Sequence, residues 1–141
     1  MKKYAKQAKD AASSLTQKNS FFTILVVDGE ASEAGLFEDF LKAEGHFVLR
    51  AESAEDALAK AHKFQPDLIL LGCDIPGVSC LELLPRLLMV QSSAAVIMLA
   101  DKPTIRDAVT AMKIGAMDFI QTPLDLKKLK ESIDFQKALF K

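Results

Sequence analysis

Two predicted strand ends carry carboxylates that could take part in chemistry. Asp28 and Glu30 follow one short apolar run, and Asp74 follows another. In open α/β sheets the carboxyl ends of parallel strands meet at one edge, and ligands bind in the crevice beyond it. Carboxylate oxygens that converge there are the ligands a hard divalent cation such as Mg²⁺ prefers. These three residues therefore form the candidate acidic pocket.

The segments that must position these carboxylates alternate between two patterns. Short runs rich in β-branched residues alternate with longer stretches whose apolar residues recur at helical spacing, which is typical of βα units around a parallel sheet. The predicted strands are 23–27, 47–50, 68–71, 95–99 and 117–121. The predicted helices are 31–44, one that Ser53 caps and Pro66 stops, 79–89, 104–114, and one that starts at 124 or 125. We predict a doubly wound α/β fold with five parallel strands in the order 2-1-3-4-5.

The last two predicted helices are marked by spaced apolar residues. Ile105, Ala108, Val109 and Met112 follow an i, i+3, i+4, i+7 pattern in the first of them. The second carries Leu126, Leu129, Ile133 and Phe135. Such spacing predicts amphipathic helices.

Four motifs together resemble the receiver domain of two-component response regulators. They are Ile-Leu-Val-Val-Asp-Gly-Glu at 24–30, Asp-Leu-Ile-Leu-Leu-Gly-Cys-Asp-Ile-Pro-Gly at 67–77, Val-Ile-Met-Leu-Ala at 96–100 and Gly-Ala-Met-Asp-Phe-Ile-Gln-Thr-Pro at 115–123. The resemblance extends from about residue 21 to the C-terminus. It implies a flavodoxin-like fold of the CheY type.

The same motifs depart from the family at the positions that carry its chemistry. The acceptor aspartate falls at Gly72, and the second residue of the acidic metal-binding pair falls at Gly29. Ala100 stands in place of the switch hydroxyl, and Thr122 stands in place of the lysine. In the family these groups supply the nucleophile, hold magnesium and bind the phosphoryl group. The resemblance therefore implies a degenerate pseudo-receiver without catalytic residues, which is not an enzyme.

The residual carboxylates leave two alternatives open. Asp28 matches one family metal ligand, and a single ligand is a poor basis for a tight site, so we expect no cofactor, with weak Mg²⁺ binding as the exception. Asp74 is either a turn carboxylate or, less favoured, a displaced phosphoryl acceptor. A pocket vacated by small residues could also sense a small ligand or a metal through Asp28, Glu30 and Asp74, although it supplies few polar groups to hold one.

Without this chemistry, protein binding is the leading predicted function. Receivers pass signals through their fourth helix, fifth strand and fifth helix. In this chain that surface would include Arg106, Thr110, Lys113, Phe119, Gln121, Lys127 and Lys130. We expect a phosphorylation-independent domain of two-component or transcriptional regulation that binds a protein partner or a fused output domain, or forms a homodimer. A solvated charged face and a fixed core Phe119 are the alternatives.

Composition narrows the setting of this chain. Its 141 residues are half apolar and carry a net charge of −1, which fits one globular domain, and the resemblance implies a receiver-like domain at 22–141. The near-neutral charge disfavours direct nucleic-acid binding. No apolar stretch approaches the ~20 residues that cross a membrane, so we expect a bacterial cytoplasmic protein without membrane contact.

Two features of the sequence remain outside the motifs. Residues 1–21 form a basic extension with a helix-like pattern. A frayed segment and a helix that packs on the domain or on a second copy are equal alternatives for it. Cys73 and Cys80 lie in or beside one loop. Because no spaced cysteine framework exists, we interpret both as packing thiols in a reducing compartment.

Overall fold

Strands and helices alternate through the part of the chain that the computed structural model describes, which is residues 22–28, 34–73, 75, 77–101, 103–122 and 126–139. The strands are β1 (Thr23–Val27), β2 (Phe47–Ala51), β3 (Leu68–Gly72), β4 (Ala95–Asp101) and β5 (Asp118–Thr122). The helices are α1 (Ala34–Ala43), α2 (Ala54–Phe64), α3 (Cys80–Val90), α4 (Ile105–Ile114) and α5 (Leu126–Leu139). None of these described helices is long and apolar enough to cross a membrane. The predicted extension 1–21 lies outside the described residues.

The five strands form one parallel sheet in the order β2-β1-β3-β4-β5, which confirms the predicted fold class. Successive side chains of a strand point to opposite faces, so the apolar runs supply two cores. Leu25 and Ile69 belong to one core together with residues of α2, α3 and α4. Ile24 and Leu68 belong to the other, together with residues of α1 and α5. Burial on both faces explains why β1 and β3 have no polar face.

Local capping chemistry sets the helix ends. The Oγ atom of Ser53 accepts a hydrogen bond from the backbone N–H of Asp56 at 3.1 Å, which caps α2 as predicted. Ser79 and Thr104 are N-caps, so α3 and α4 begin one residue later than the sequence pattern predicted. At the end of α2, Gln65 adopts a left-handed backbone with φ of 47°, and Pro66 follows it.

The apolar pattern of the last two helices does not coincide with the core. On α4, Ile105, Val109 and Met112 are 84%, 46% and 47% exposed, and Ala111 is the residue wholly buried. The spacing thus predicted the helix correctly, while its apolar side faces solvent. On α5, Phe135 is also exposed, since two residues rotate it about 200° from the buried Ile133.

Candidate functional site

The carboxyl ends of β1 and β3 bring Asp28 and Gly72 to neighbouring positions on one sheet edge. Val27 pairs with Leu71 in the parallel register, and Asp28 and Gly72 are the next residues of the two strands. The backbone N–H of Asp28 donates to the carbonyl of Ala51 at 3.0 Å, so the ladder with β2 continues past the end of β1. Asp28 is partly buried. The structure therefore brings two of the predicted site residues to neighbouring positions, one residue beyond the pair of Val27 and Leu71.

Two residues at this edge offer no functional side chain. Gly72 is buried and pairs with Leu99 on β4. Ala100, the next residue of β4, is 9% exposed and carries only a methyl group. Since neither residue supplies an oxygen or nitrogen atom in its side chain, the centre of the edge has no nucleophile at either position.

The remaining predicted site residues are described only in part. The backbone of Thr122 ends β5 and pairs with Asp101, which places it at the same edge of the sheet. Gly29, Glu30 and Asp74 lie outside the described residues. Among the residues that are described, no group of three or more His, Cys, Asp or Glu side chains could hold a metal ion.

A disulfide joins Cys73 to Cys80, which the sequence pattern did not predict. The interpretation of both residues as packing thiols is wrong, although both side chains do pack against the core. The connection from β3 to α3 folds back so that their Cα atoms lie 5.0 Å apart, inside the usual disulfide range. The sequence did contain a signal for this disulfide. The two cysteines are seven residues apart and flank Pro76 and Gly77, and proline and glycine favour a tight turn that brings the flanking residues close together.

The predicted interaction surface is formed around β5, an edge strand that lies between α4 and α5. These two helices pack on opposite faces of the sheet. We define the apolar stripe as Ile105, Val109 and Met112 on α4. Arg106 and Lys113 are exposed on the same helix, and Thr110 is partly exposed.

A groove lies between β5 and α5, with a volume of about 560 Å³. We define it as the β5–α5 groove. Its lining includes Phe119, Gln121, Lys128, Glu131 and Phe135. Phe119 is partly exposed and Gln121 is exposed, so both lie where a partner can reach them.

Lys130 points to a different neighbour. Its Nζ atom lies 3.3 Å from Oε1 of Glu44, just after α1, and 3.4 Å from Oδ2 of Asp134. Hydrogen bonding to Glu44, followed by the charge of Asp134, raises the pKa of Lys130 above its ordinary value. Lys130 thus links α5 to the end of α1. Lys127 is exposed on the same helix.

The sheet order and the crevice at the strand ends define a doubly wound α/β domain of the flavodoxin-like class. The family model described as the response regulator receiver domain matches residues 24–134. The chain therefore belongs to the response regulator receiver domain family.

Known proteins agree with this assignment. The chain is 34% identical over 106 residues to the uncharacterized transcriptional regulatory protein YkoG of Bacillus subtilis, covering 75% of this chain and 46% of that protein. It is 33% identical over 106 residues to the DNA-binding response regulator MtrA of Mycobacterium tuberculosis, covering 75% and 46%. The receiver domain of NtrX from Brucella abortus superposes with a TM-score of 0.76 at 31% identity, covering 82% of this chain and 98% of that one. The chain spans about half the length of these two curated relatives.

Proposed function

We propose that this chain is a pseudo-receiver that acts without phosphorylation and signals by binding protein. The observation that carries the proposal is the buried Gly72 at the carboxyl end of β3. An acyl phosphate requires a carboxylate oxygen that bonds to phosphorus, and glycine has none. Asp28, the neighbouring residue, occupies the position that the resemblance assigns to metal binding, so its carboxylate does not replace the missing acceptor.

The end of β4 supports the same proposal. A receiver switch needs a hydroxyl that bonds the phosphoryl group and draws the adjacent loop inward. Ala100 is 9% exposed and offers a methyl group there. Loss of the acceptor removes the covalent step, and loss of the switch hydroxyl removes the conformational change that follows phosphorylation. The domain therefore has no enzymatic role and requires no cofactor.

Exposed apolar side chains on α4 support protein binding. The apolar stripe of Ile105, Val109 and Met112 places three large side chains in solvent on one helix. Contiguous apolar surface of this kind marks interaction sites. The basic side chains of Arg106 and Lys113 lie on the same helix, so the matching partner surface is apolar with acidic groups at its rim.

The relatives suggest which partner this is. Two are named as transcriptional regulators and another as a DNA-binding response regulator, and the matched regions cover about half of their length. We infer that the first partner is an output domain, fused or separate, and that a second copy of the chain is the other candidate. The chain has a net charge of −1 and therefore lacks the excess of basic residues that nucleic-acid binding requires. We assign it to the cytoplasm, where transcription is regulated in bacteria.

Phosphorylation chemistry gives the direct test. The chain is incubated with acetyl phosphate and Mg²⁺ and its intact mass is measured, beside a receiver domain that retains its acceptor aspartate as the positive control. Amide NMR spectra are recorded with Mg²⁺ and then beryllofluoride, an acyl phosphate mimic. We expect no phosphoryl adduct and no saturable shifts at Asp28 or Gly72. An adduct that maps to Asp74 would support the displaced acceptor instead, and saturable Mg²⁺ shifts alone would support metal sensing.

A further inference from the structure

The disulfide lies directly beside the proposed silent site. Cys73 is the first residue after β3, next to Gly72, and its backbone N–H donates to the carbonyl of Leu99 on β4 at 3.0 Å. Cys80 is the first residue of α3. The bond between them therefore connects the carboxyl edge of the sheet to the start of a helix.

The environment of Cys80 favours thiol chemistry when the bond is open. It follows the N-cap Ser79, whose Oγ accepts from the N–H of Leu81 at 3.2 Å. The helix dipole at this end stabilises a negative charge, including a thiolate. Both cysteines are partly exposed, so a small reagent has access to the sulfur atoms.

We propose that Cys73 and Cys80 form a reversible redox site that exchanges with a low-molecular-weight disulfide of the glutathione class. The thiolate of Cys80 attacks one sulfur of the oxidised reagent, forms a mixed disulfide and releases one reduced thiol. The thiolate of Cys73 then attacks the Sγ of Cys80 and releases the second. Two protein thiols are oxidised to one disulfide, and one reagent disulfide is reduced to two thiols.

The state of this bond determines how firmly the connection between β3 and α3 is held. In the oxidised chain the disulfide closes the loop of residues 73–80. Within that loop Ile75 is buried in the core and Gly77 adopts a φ of 81°. After reduction, the loop is held by noncovalent contacts alone, such as the burial of Ile75. The redox site thus acts at the sheet edge independently of whether that edge can be phosphorylated.

Equilibration in glutathione buffers of graded ratio tests the exchange. Free thiols are trapped by alkylation, and intact mass then separates the disulfide, dithiol and mixed-disulfide forms. We expect a reversible transition between disulfide and dithiol within the range of ratios. In the reduced form, hydrogen exchange at residues 77–83 should be faster by up to about 50-fold, the limit set by closure entropy of this short loop. The double variant C73S/C80S should exchange at the reduced rate in every buffer.

Single variants test the order of attack. Cys73→Ser retains Cys80 as its single cysteine and should form a glutathione adduct faster than Cys80→Ser, which retains Cys73. Equal rates would overturn the role of Cys80 as the attacking thiol. A chain that stays fully oxidised in every buffer would overturn reversibility, and one that collects only mixed disulfides would overturn the pairing. Unchanged hydrogen exchange would overturn the effect on the loop.

Discussion

Ser132 of α5 donates a hydrogen bond to Asp118 of β5, with 2.5 Å between Oγ and Oδ2. The other carboxylate oxygen of Asp118 accepts from the backbone N–H of Phe119 at 2.8 Å. Ser132 is buried, and Asp118 is partly buried. One carboxylate therefore fixes both the start of the edge strand and the helix that packs beside it, next to the β5–α5 groove.

Replacing Ser132 with alanine should destabilise the fold by about 1–3 kcal/mol. The substitution leaves a partly buried carboxylate oxygen without its donor, and hydrogen bonds to charged groups contribute in this range. Urea unfolding measures the free energy. Ser92 is exposed, so Ser92→Ala is the matched control and should change the free energy of unfolding by less than about 0.5 kcal/mol. Equal effects of the two substitutions would contradict this role of the Asp118 contact.

The ion pair between Lys130 and Glu44 should make a small, pH-dependent contribution to stability. The pKa of Lys130 is raised in the folded chain above the ordinary 10.5. A raised lysine pKa stabilises the fold fully below the unfolded value, and this contribution is lost as pH rises through the folded value. Stability of the native chain relative to Lys130→Met should thus be constant near neutral pH and fall from about pH 10 upward.

Unfolding free energies of both proteins at several alkaline pH values measure that difference. Because Lys130 is exposed, added salt should reduce the contribution. Lys128→Met on the same helix is the control, and its difference from the native chain should show no such alkaline decline. A difference between Lys130→Met and the native chain that is independent of pH and salt would contradict an electrostatic origin.

Substitutions in the apolar stripe should affect association and leave the fold intact. The double variant I105E/V109E places charge on an exposed face of α4, so its free energy of unfolding should change by less than about 0.5 kcal/mol per site. Sedimentation equilibrium at high concentration separates the two candidate partners: self-association of the native chain that the variant loses would place a second copy of the chain on the stripe. Met89→Glu, on the exposed end of α3, is the control and should associate like the native chain. A monomeric native chain would assign the stripe to an output domain instead.

The sequence predicted the sheet well because its information is local. Runs such as 24–27 and 68–71 are apolar throughout, and only a doubly covered central strand buries such a run on both sides. Ser53 and Pro66 predicted the limits of α2 because caps and proline act within one turn. The motif positions of Asp28 and Gly72 were equally informative, since the parallel register then places them side by side.

Other features depend on packing between distant segments and could not be predicted. Helical spacing identified α4, but the same spacing is compatible with an apolar side that faces the core or the solvent, and Ile105 faces solvent. The disulfide required the loop to return Cys80 to Cys73. The hydrogen bond between Ser132 and Asp118 joins a helix to a strand. A serine 14 residues after an aspartate is not a recognisable motif, so the sequence does not predict this contact.

Gly72→Asp should restore a carboxylate beside Asp28 and create a response to Mg²⁺. Without metal, a second carboxylate at this buried position should destabilise the chain by about 1–3 kcal/mol, through burial of polar atoms and repulsion from Asp28. Mg²⁺ binds the folded form and should recover part of that loss by linkage. Thermal unfolding with and without Mg²⁺ measures the recovery. Gly72→Asn has nearly the same shape without the charge, so it should be destabilised and gain nothing from Mg²⁺. Equal recovery of both variants, or of the native chain, would show that a cation binds here without the acceptor carboxylate.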